Sequence, residues 1–355
     1  MLDAIISTRE LLGRVDELLR TRRVIGPVRR DVPDATPPVR WFYEPVSSAR
    51  QIDLEFAYCV YSPKQYVLPP RETLLEFHRT PDGFSARPVS DARPTALVGV
   101  HPCDLHALVT LDRAFSHNGD DEHYQARRQG LLIVGVDCGK PCTPGVYCAD
   151  MRAHVADEGF DVMLQPLDAG PGVERFGVRF GSPRGRTWLE AGGGCERPTA
   201  ADERAADDWQ EHKEASFGRT LTTAYEDLPA MMERSYDSLI WEATARRCYS
   251  CGSCNLVCPT CYCFDVHDEL DLSLQGGRRC REWDGCQLRD FALVAGGHNF
   301  RSKAAARLRH RLMRKARWIG ERTGGKGCVG CARCDRACTA RISTVEIYNQ
   351  LAEEV

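Results

Sequence analysis

The chain has no apolar run near the roughly 20 residues that a membrane helix needs. Its first residues, Met1-Leu-Asp-Ala-Ile-Ile, carry an early acid and no basic segment, so no secretory leader is expected either. It also has little charge of either sign to spare. With 47 Lys and Arg against 50 Asp and Glu, a net charge of −3 points neither to nucleic acid nor to an anionic membrane. Several motifs are missing. No G-x-G-x-x-G follows a strand-like stretch, and Gly324-Gly-Lys-Gly327 is too short for a phosphate-binding loop. There is no H-E-x-x-H, no serine elbow and no obvious carboxylate pair. Neither a nicotinamide nor a flavin site is expected, and no side chain is singled out as catalytic. Low-complexity tracts are absent, as are internal repeats other than a pair of cysteine runs.

What the chain has is cysteine, 18 among 355 residues. Without a leader the expected compartment is the cytoplasm, where thiols stay reduced and clustered cysteines signal metal or catalysis. Cys248, Cys251, Cys254 and Cys258, followed by Pro259, read C-x2-C-x2-C-x3-C-P. This is the bacterial ferredoxin run for a four-iron cluster. The run recurs at Cys328, Cys331, Cys334 and Cys338, with Thr339 in place of the proline, which is not a ligand. Three closely spaced thiolates wrap one cube, and the fourth, entering a helix, reaches the neighbouring cube. The spacing therefore predicts two [4Fe-4S] clusters. One is held by Cys248, Cys251, Cys254 and Cys338, the other by Cys328, Cys331, Cys334 and Cys258. Zinc is the alternative for C-x2-C pairs, but it takes four ligands from two pairs, whereas each run here supplies four.

At this length two domains are expected. The first, residues 1–235, reads as α/β with a mixed sheet. Ala96–Val100 and Leu131–Val136 are continuous apolar runs separated by helical patterns at Asp104–Phe115 and His123–Arg128, which is a βαβ unit with parallel strands. Residues 3–20 read as one amphipathic helix, Arg23–Val28 and Val39–Tyr43 as strands, and Arg71–Phe77 as a helix. Residues 160–190 alternate like antiparallel strands, and Gly192–Ser216 reads as a solvated linker. The second domain, residues 236–355, reads as a mainly helical dicluster ferredoxin-like unit with an insertion at about 262–325. That insertion contains a strongly basic helix, Arg301–Ile319, whose charges suit solvent or an acidic partner, with cluster tuning a third role.

A second cysteine group is the main ambiguity. Both strands of the βαβ unit end at cysteines, Cys103 and Cys138, with Cys142 and Cys148 on the loop that follows. Ligands collect at the carboxyl ends of strands in open α/β sheets. Cys103, Cys138, Cys142 and Cys148 are therefore candidates for a third centre, iron–sulfur or zinc, with buried structural thiols as the alternative. Cys261, Cys263 and Cys286 are spare ligands or packing, and Cys59 and Cys195 look incidental.

The stretches Cys254–Asp265, Arg281–Cys286, Ala292–Arg301 and Gly327–Cys331, together with Gly99–His106, resemble the iron–sulfur beta subunit of cytoplasmic NAD(P)-linked nickel–iron hydrogenases, or sulfhydrogenases. The electron-input subunit of anaerobic sulfite reductase is similar. The resemblance runs from about residue 95 onward. It implies an electron-transfer subunit, not itself catalytic, relaying single electrons between a flavin NAD(P)-binding subunit and a small iron–sulfur subunit with its nickel–iron catalytic partner. Two alternatives stay open. One is the sulfite reductase subunit itself. The other is a self-standing metalloenzyme with its metal at Cys103, Cys138, Cys142 and Cys148.

Overall fold

The computed structural model describes residues 1–33, 37, 39–168 and 172–354. Its strands, in chain order, are β1 (Ala4–Ser7), β2 (Arg23–Asp31), β3 (Val39–Pro45), β4 (Arg71–Thr80), β5 (Gly83–Pro88), β6 (Thr95–Val100), β7 (Leu131–Val136), β8 (Val162–Pro166), β9 (Arg175–Phe180), β10 (Cys195–Glu196), β11 (Phe264–Leu270) and β12 (Gly276–Trp283). Eight of them form a mixed sheet in the order β10-β1-β9-β8-β7-β6-β2-β3. The four central strands, β2, β6, β7 and β8, are parallel, and the flanking pairs are antiparallel. Thr-Ala-Leu-Val-Gly-Val in β6 and Leu-Leu-Ile-Val-Gly-Val in β7 are buried along their whole length. Such unbroken apolar runs belong to parallel strands covered on both faces. The expected βαβ unit is present, with helices Pro102–Ser116 and Glu122–Gln129 between β6 and β7. No helix among the described residues is long and apolar enough to cross a membrane.

Several local expectations are overturned. Residues 3–20 do not form one helix. Ile5 and Ile6 sit in β1 against β9, and Ser7 caps the helix Thr8–Leu18 by accepting from the Glu10 amide. Arg71–Phe77 is not a helix but most of β4. Its Arg, Glu and Leu residues favour helix, yet pairing with β12 decides. That register sets Glu72 opposite Arg281 and Glu76 opposite Arg278. The buried Glu72 carboxylate ion-pairs with both Arg281 and Arg127 at 2.6 Å. Within 160–190 the strands β8 and β9 are antiparallel as expected, but Pro183–Glu190 is a helix. Gly192–Ser216 is no linker: it holds the helix Ala200–Ser216, opened by a capping box between Thr199 and Asp202.

The residues between the two cysteine runs are woven into the rest of the chain. The β11–β12 hairpin pairs with β4, and β4 with β5, giving a four-stranded antiparallel sheet. A second core of Tyr147, Trp241, Leu308, Leu312, Tyr348 and neighbours joins the carboxyl-terminal helices to the loop after β7. Cys328 and Cys331 of the second run pack against this core, as does Cys103 at the carboxyl edge of the large sheet.

Candidate metal centres

The two runs fold alike. In the first, Ser250 and Gly252 are left-handed, at φ 54° and 76°, and the short helix Ser253–Leu256 follows. In the second, Gly330 and Ala332 hold the matching positions at φ 64° and 52°, ahead of Arg333–Arg336. Left-handed backbone at a non-glycine residue costs on the order of 1–2 kcal/mol. Here it turns successive thiols and amides inward. The Ser250 amide donates to Cys248 Sγ and the Gly330 amide to Cys328 Sγ, both at 3.4 Å. Gly330 is further constrained, because a Cβ there would stand 2.4 Å from the Tyr147 carbonyl oxygen.

The structure brings Cys258 of the first run into one cavity with Cys328, Cys331 and Cys334 of the second. Tyr147 closes one side, its hydroxyl 3.2 Å from Cys328 Sγ. Burial pushes the Cys328 thiol up to about 11. Cys248, Cys251 and Cys254 do not line that cavity; Cys251 is exposed and the other two are half-buried. A hydrogen bond with Ser253 lowers the Cys251 thiol. Cys338 ends the second run, and the packed helices Ser253–Leu256 and Arg333–Arg336 set the two runs side by side. The Ile342 amide donates to Cys338 Sγ at 3.4 Å.

The basic helix is the largest departure from expectation. It runs as Ala304–Met313, a π-helical turn Arg314–Trp318 and Ile319–Thr323. Its charges do not all face solvent: Arg307, Arg311 and Lys315 are buried. Arg311 and Lys315 line the Cys258 cavity. Burial alone would lower Lys315, but Cys258 and Cys261 outweigh it and hold the ammonium above its ordinary range. Among the described residues neither Arg311 nor Lys315 has a carboxylate within ion-pair distance, and Arg311 Nε is buried with no partner. Buried cations without counter-charge are costly. Thiolates carrying an anionic cluster meet that need, so the donor set and its surroundings fit the group the runs predict.

Three more residues support the cysteines without any sequence signal that named them. Buried Lys64 donates to the carbonyls of Cys258 and Cys261 at 3.1 and 3.0 Å and stacks on Trp283. Burial pushes its ammonium down to about 8. Tyr147, against Cys328, and Asn255, against Cys261 and Cys286, are the others.

The second group gathers at the carboxyl edge of β6 and β7. Cys103 opens the helix after β6, Cys138 follows β7, and Cys142 and Cys148 lie on the next loop. They are close enough to influence one another. Burial raises the thiols of Cys103, Cys138 and Cys148, with Cys148 adding to the first two and Cys142 to the latter two. Cys331 of the second run bears on Cys103, Cys142 and Cys148. The helix Ala200–Ser216 braces this edge: fully buried Lys213 reaches Asp137 at 2.5 Å, and Trp209 and Gln210 donate to the same carboxylate. Arg333 of the second run forms a buried two-pronged pair with Asp104 beside Cys103, each contact 2.7 Å.

A single tetrahedral zinc, with Zn–S near 2.3 Å, would draw its sulfurs to about 3.8 Å apart. Among the described residues, only His267, Glu269 and Cys280 place three candidate ligand atoms all within 4.8 Å of one another.

Comparison with known proteins returns two findings. The model of a 4Fe-4S dicluster domain matches residues 247–342. Over 347 residues the chain is 31% identical to sulfhydrogenase 2 subunit beta of Pyrococcus furiosus, covering 97% of this chain and 96% of that protein. No solved structure matches.

Proposed function

The chain belongs to the family of sulfhydrogenase beta subunits, and from that premise we propose that it relays single electrons through iron–sulfur clusters inside a nickel–iron hydrogenase complex. Its neighbours in that reading are a flavin subunit that handles NAD(P)H and a small iron–sulfur subunit with its nickel–iron catalytic partner. The cluster ligands are Cys248, Cys251, Cys254 and Cys338 for one, and Cys328, Cys331, Cys334 and Cys258 for the other. A third centre takes Cys103, Cys138, Cys142 and Cys148. When bound, such clusters supply one-electron exchange at potentials set by charge, hydrogen bonds and burial. The chain's own residues supply those settings: Arg311 and Lys315 favour added negative charge, Tyr147 and backbone amides donate to sulfur, and the second core keeps water away.

The observation that carries this reading is the cavity in which Cys258 joins three thiols of the other run beside two uncompensated cations. The sulfite reductase alternative has less behind it, since the full-length relative is a hydrogenase subunit by name. The test is anaerobic purification of the full chain. It should hold at least about eight irons and as many sulfides, two cubes' worth, and NAD(P)H should reduce it only when the flavin subunit is added. Fewer irons would refute the relay. Direct reduction by NAD(P)H would favour the self-standing enzyme. Cys138→Ser should remove about four irons, and an unchanged iron count would remove the third centre from the reading.

A further inference from the structure

Three cysteines outside both runs and outside the sheet-edge group line a cavity of their own. Cys261, Cys263 and Cys286 share it with Arg311, Arg314 and Lys315. Two arrive on the short Cys-Tyr-Cys turn just after the first run, and the third on the loop after β12. Asn255 ties these segments together. Its side-chain nitrogen donates to both Cys261 Sγ and Cys286 Sγ at 3.5 Å, and its oxygen accepts from the Gln287 amide at 3.2 Å. Gly285 permits the approach, because a Cβ there would meet the Asn255 side chain at 2.9 Å. One amide nitrogen donating to two sulfurs from different loops, Cys286 buried and Cys261 half-buried, is a hydrogen-bonding arrangement that orients ligands.

The electrostatics point the same way. Arg314 lies over the Tyr262 ring, between the two cysteines of the turn, and lines only this cavity of the two. Among the described residues Arg311, Arg314 and Lys315 have no carboxylate within ion-pair distance. Arg314 adds, beside these three thiols, a cation that the cluster at Cys258 does not account for, and an anionic occupant would meet it. The thiols are not all within 4.8 Å of one another, as a lone tetrahedral zinc would need.

We propose that Cys261, Cys263 and Cys286 bind a further iron–sulfur cluster through three thiolates, separate from those of the two runs and from the sheet-edge centre. The proposal rests on reading the chain as an iron–sulfur protein, and not on the sheet-edge centre. Arg311, Lys315 and Thr260 line both this cavity and that of Cys258, so the new cluster adjoins the second-run cluster and forms a side arm of the relay.

Native mass spectrometry of the anaerobically purified full chain tests it, by counting bound iron–sulfur groups in three proteins. The wild type should carry four groups: two in the runs, one at the sheet edge and one here. Cys263→Ser/Cys286→Ser should carry one fewer while both run clusters keep their EPR signals. Cys138→Ser should carry three, including this one. A double variant with the wild-type load overturns the proposal. If that variant does not fold, Cys138→Ser decides: three groups uphold the proposal, two overturn it. Fewer than two groups in the wild type would refute the reading of the runs themselves. A wild type and Cys138→Ser with three groups each would instead remove only the sheet-edge centre.

Discussion

Asp104 and Arg333 are the hinge between the sheet and the second cysteine run, and their removal has a calculable cost. Both side chains are buried, at 1% and 4% exposure. Two guanidinium nitrogens meet the two carboxylate oxygens at 2.7 Å, and the third donates to the Cys59 carbonyl at 2.9 Å. At an effective dielectric near 20, charges about 4 Å apart attract by about 4 kcal/mol. Removing one partner of a buried pair leaves the other uncompensated and costs about 3–5 kcal/mol. Asp104→Asn should therefore destabilise by about that amount. Arg333→Met should cost as much and also strand the Cys59 carbonyl, worth about 1–3 kcal/mol. The double variant has no stranded charge, so it should cost only about 1–3 kcal/mol, far less than the sum. Anaerobic urea unfolding of the four proteins, followed by tryptophan fluorescence and by cluster absorbance, measures the cycle. Additive costs, or a loss below about 1 kcal/mol for Asp104→Asn, would refute the argument that this pair is a charge-compensated lock.

The runs and their cations give further tests. Cys258→Ser should disturb the EPR signal assigned through Cys331→Ser and spare the one assigned through Cys251→Ser; the reverse would disprove the crossed fourth ligand. Arg311→Gln removes a cation beside thiols of both runs, so the reduced, more negative state loses support and the potentials should fall. At about 8 Å and an effective dielectric near 20 the drop is roughly 50–100 mV, and protein-film voltammetry showing no change or a rise would contradict it. Stripping iron with a chelator should abolish hydrogen-exchange protection across residues 248–263 and 328–342, whose loops depend on bound metal for much of their folding energy; native protection in the apo protein would contradict that.

The parts of this architecture that could be read from the sequence were those with local causes. The cysteine runs announce themselves because one loop must wrap one cluster, and β6 and β7 because both faces of a parallel strand are covered. That Cys258 lines one cavity with the other run's thiols is in keeping with that same loop geometry. What escaped was fixed by distant partners. β4 has a helix-forming composition, and pairing with β12 and β5 makes it a strand. The helix Ala200–Ser216 has weak apolar periodicity because part of its inward face is Lys213, held by Asp137. The basic helix misled most, because Lys and Arg ordinarily mean solvent. A signal was there: Arg307, Arg311 and Lys315 recur every four residues alongside Leu308 and Leu312, which makes one wide inward face. Lys64 and Asn255 gave no sign, since each acts through contacts that only the fold assembles.

The shared sheet of β4, β5, β11 and β12 also sets a timetable for biosynthesis. Glu72 and Arg281, paired across it, are 209 residues apart, and Asp104 and Arg333 are 229 apart. At about 5–20 residues per second a ribosome needs roughly 10–40 s to cover such a distance. Through that interval β4 and β5 exist as a lone hairpin, marginal in water and open along both edges. The sheet-edge cysteines emerge in the same interval, before any thiol of the second run has been made. The half-made sheet is completed only when β12, ending at Trp283, leaves the ribosome.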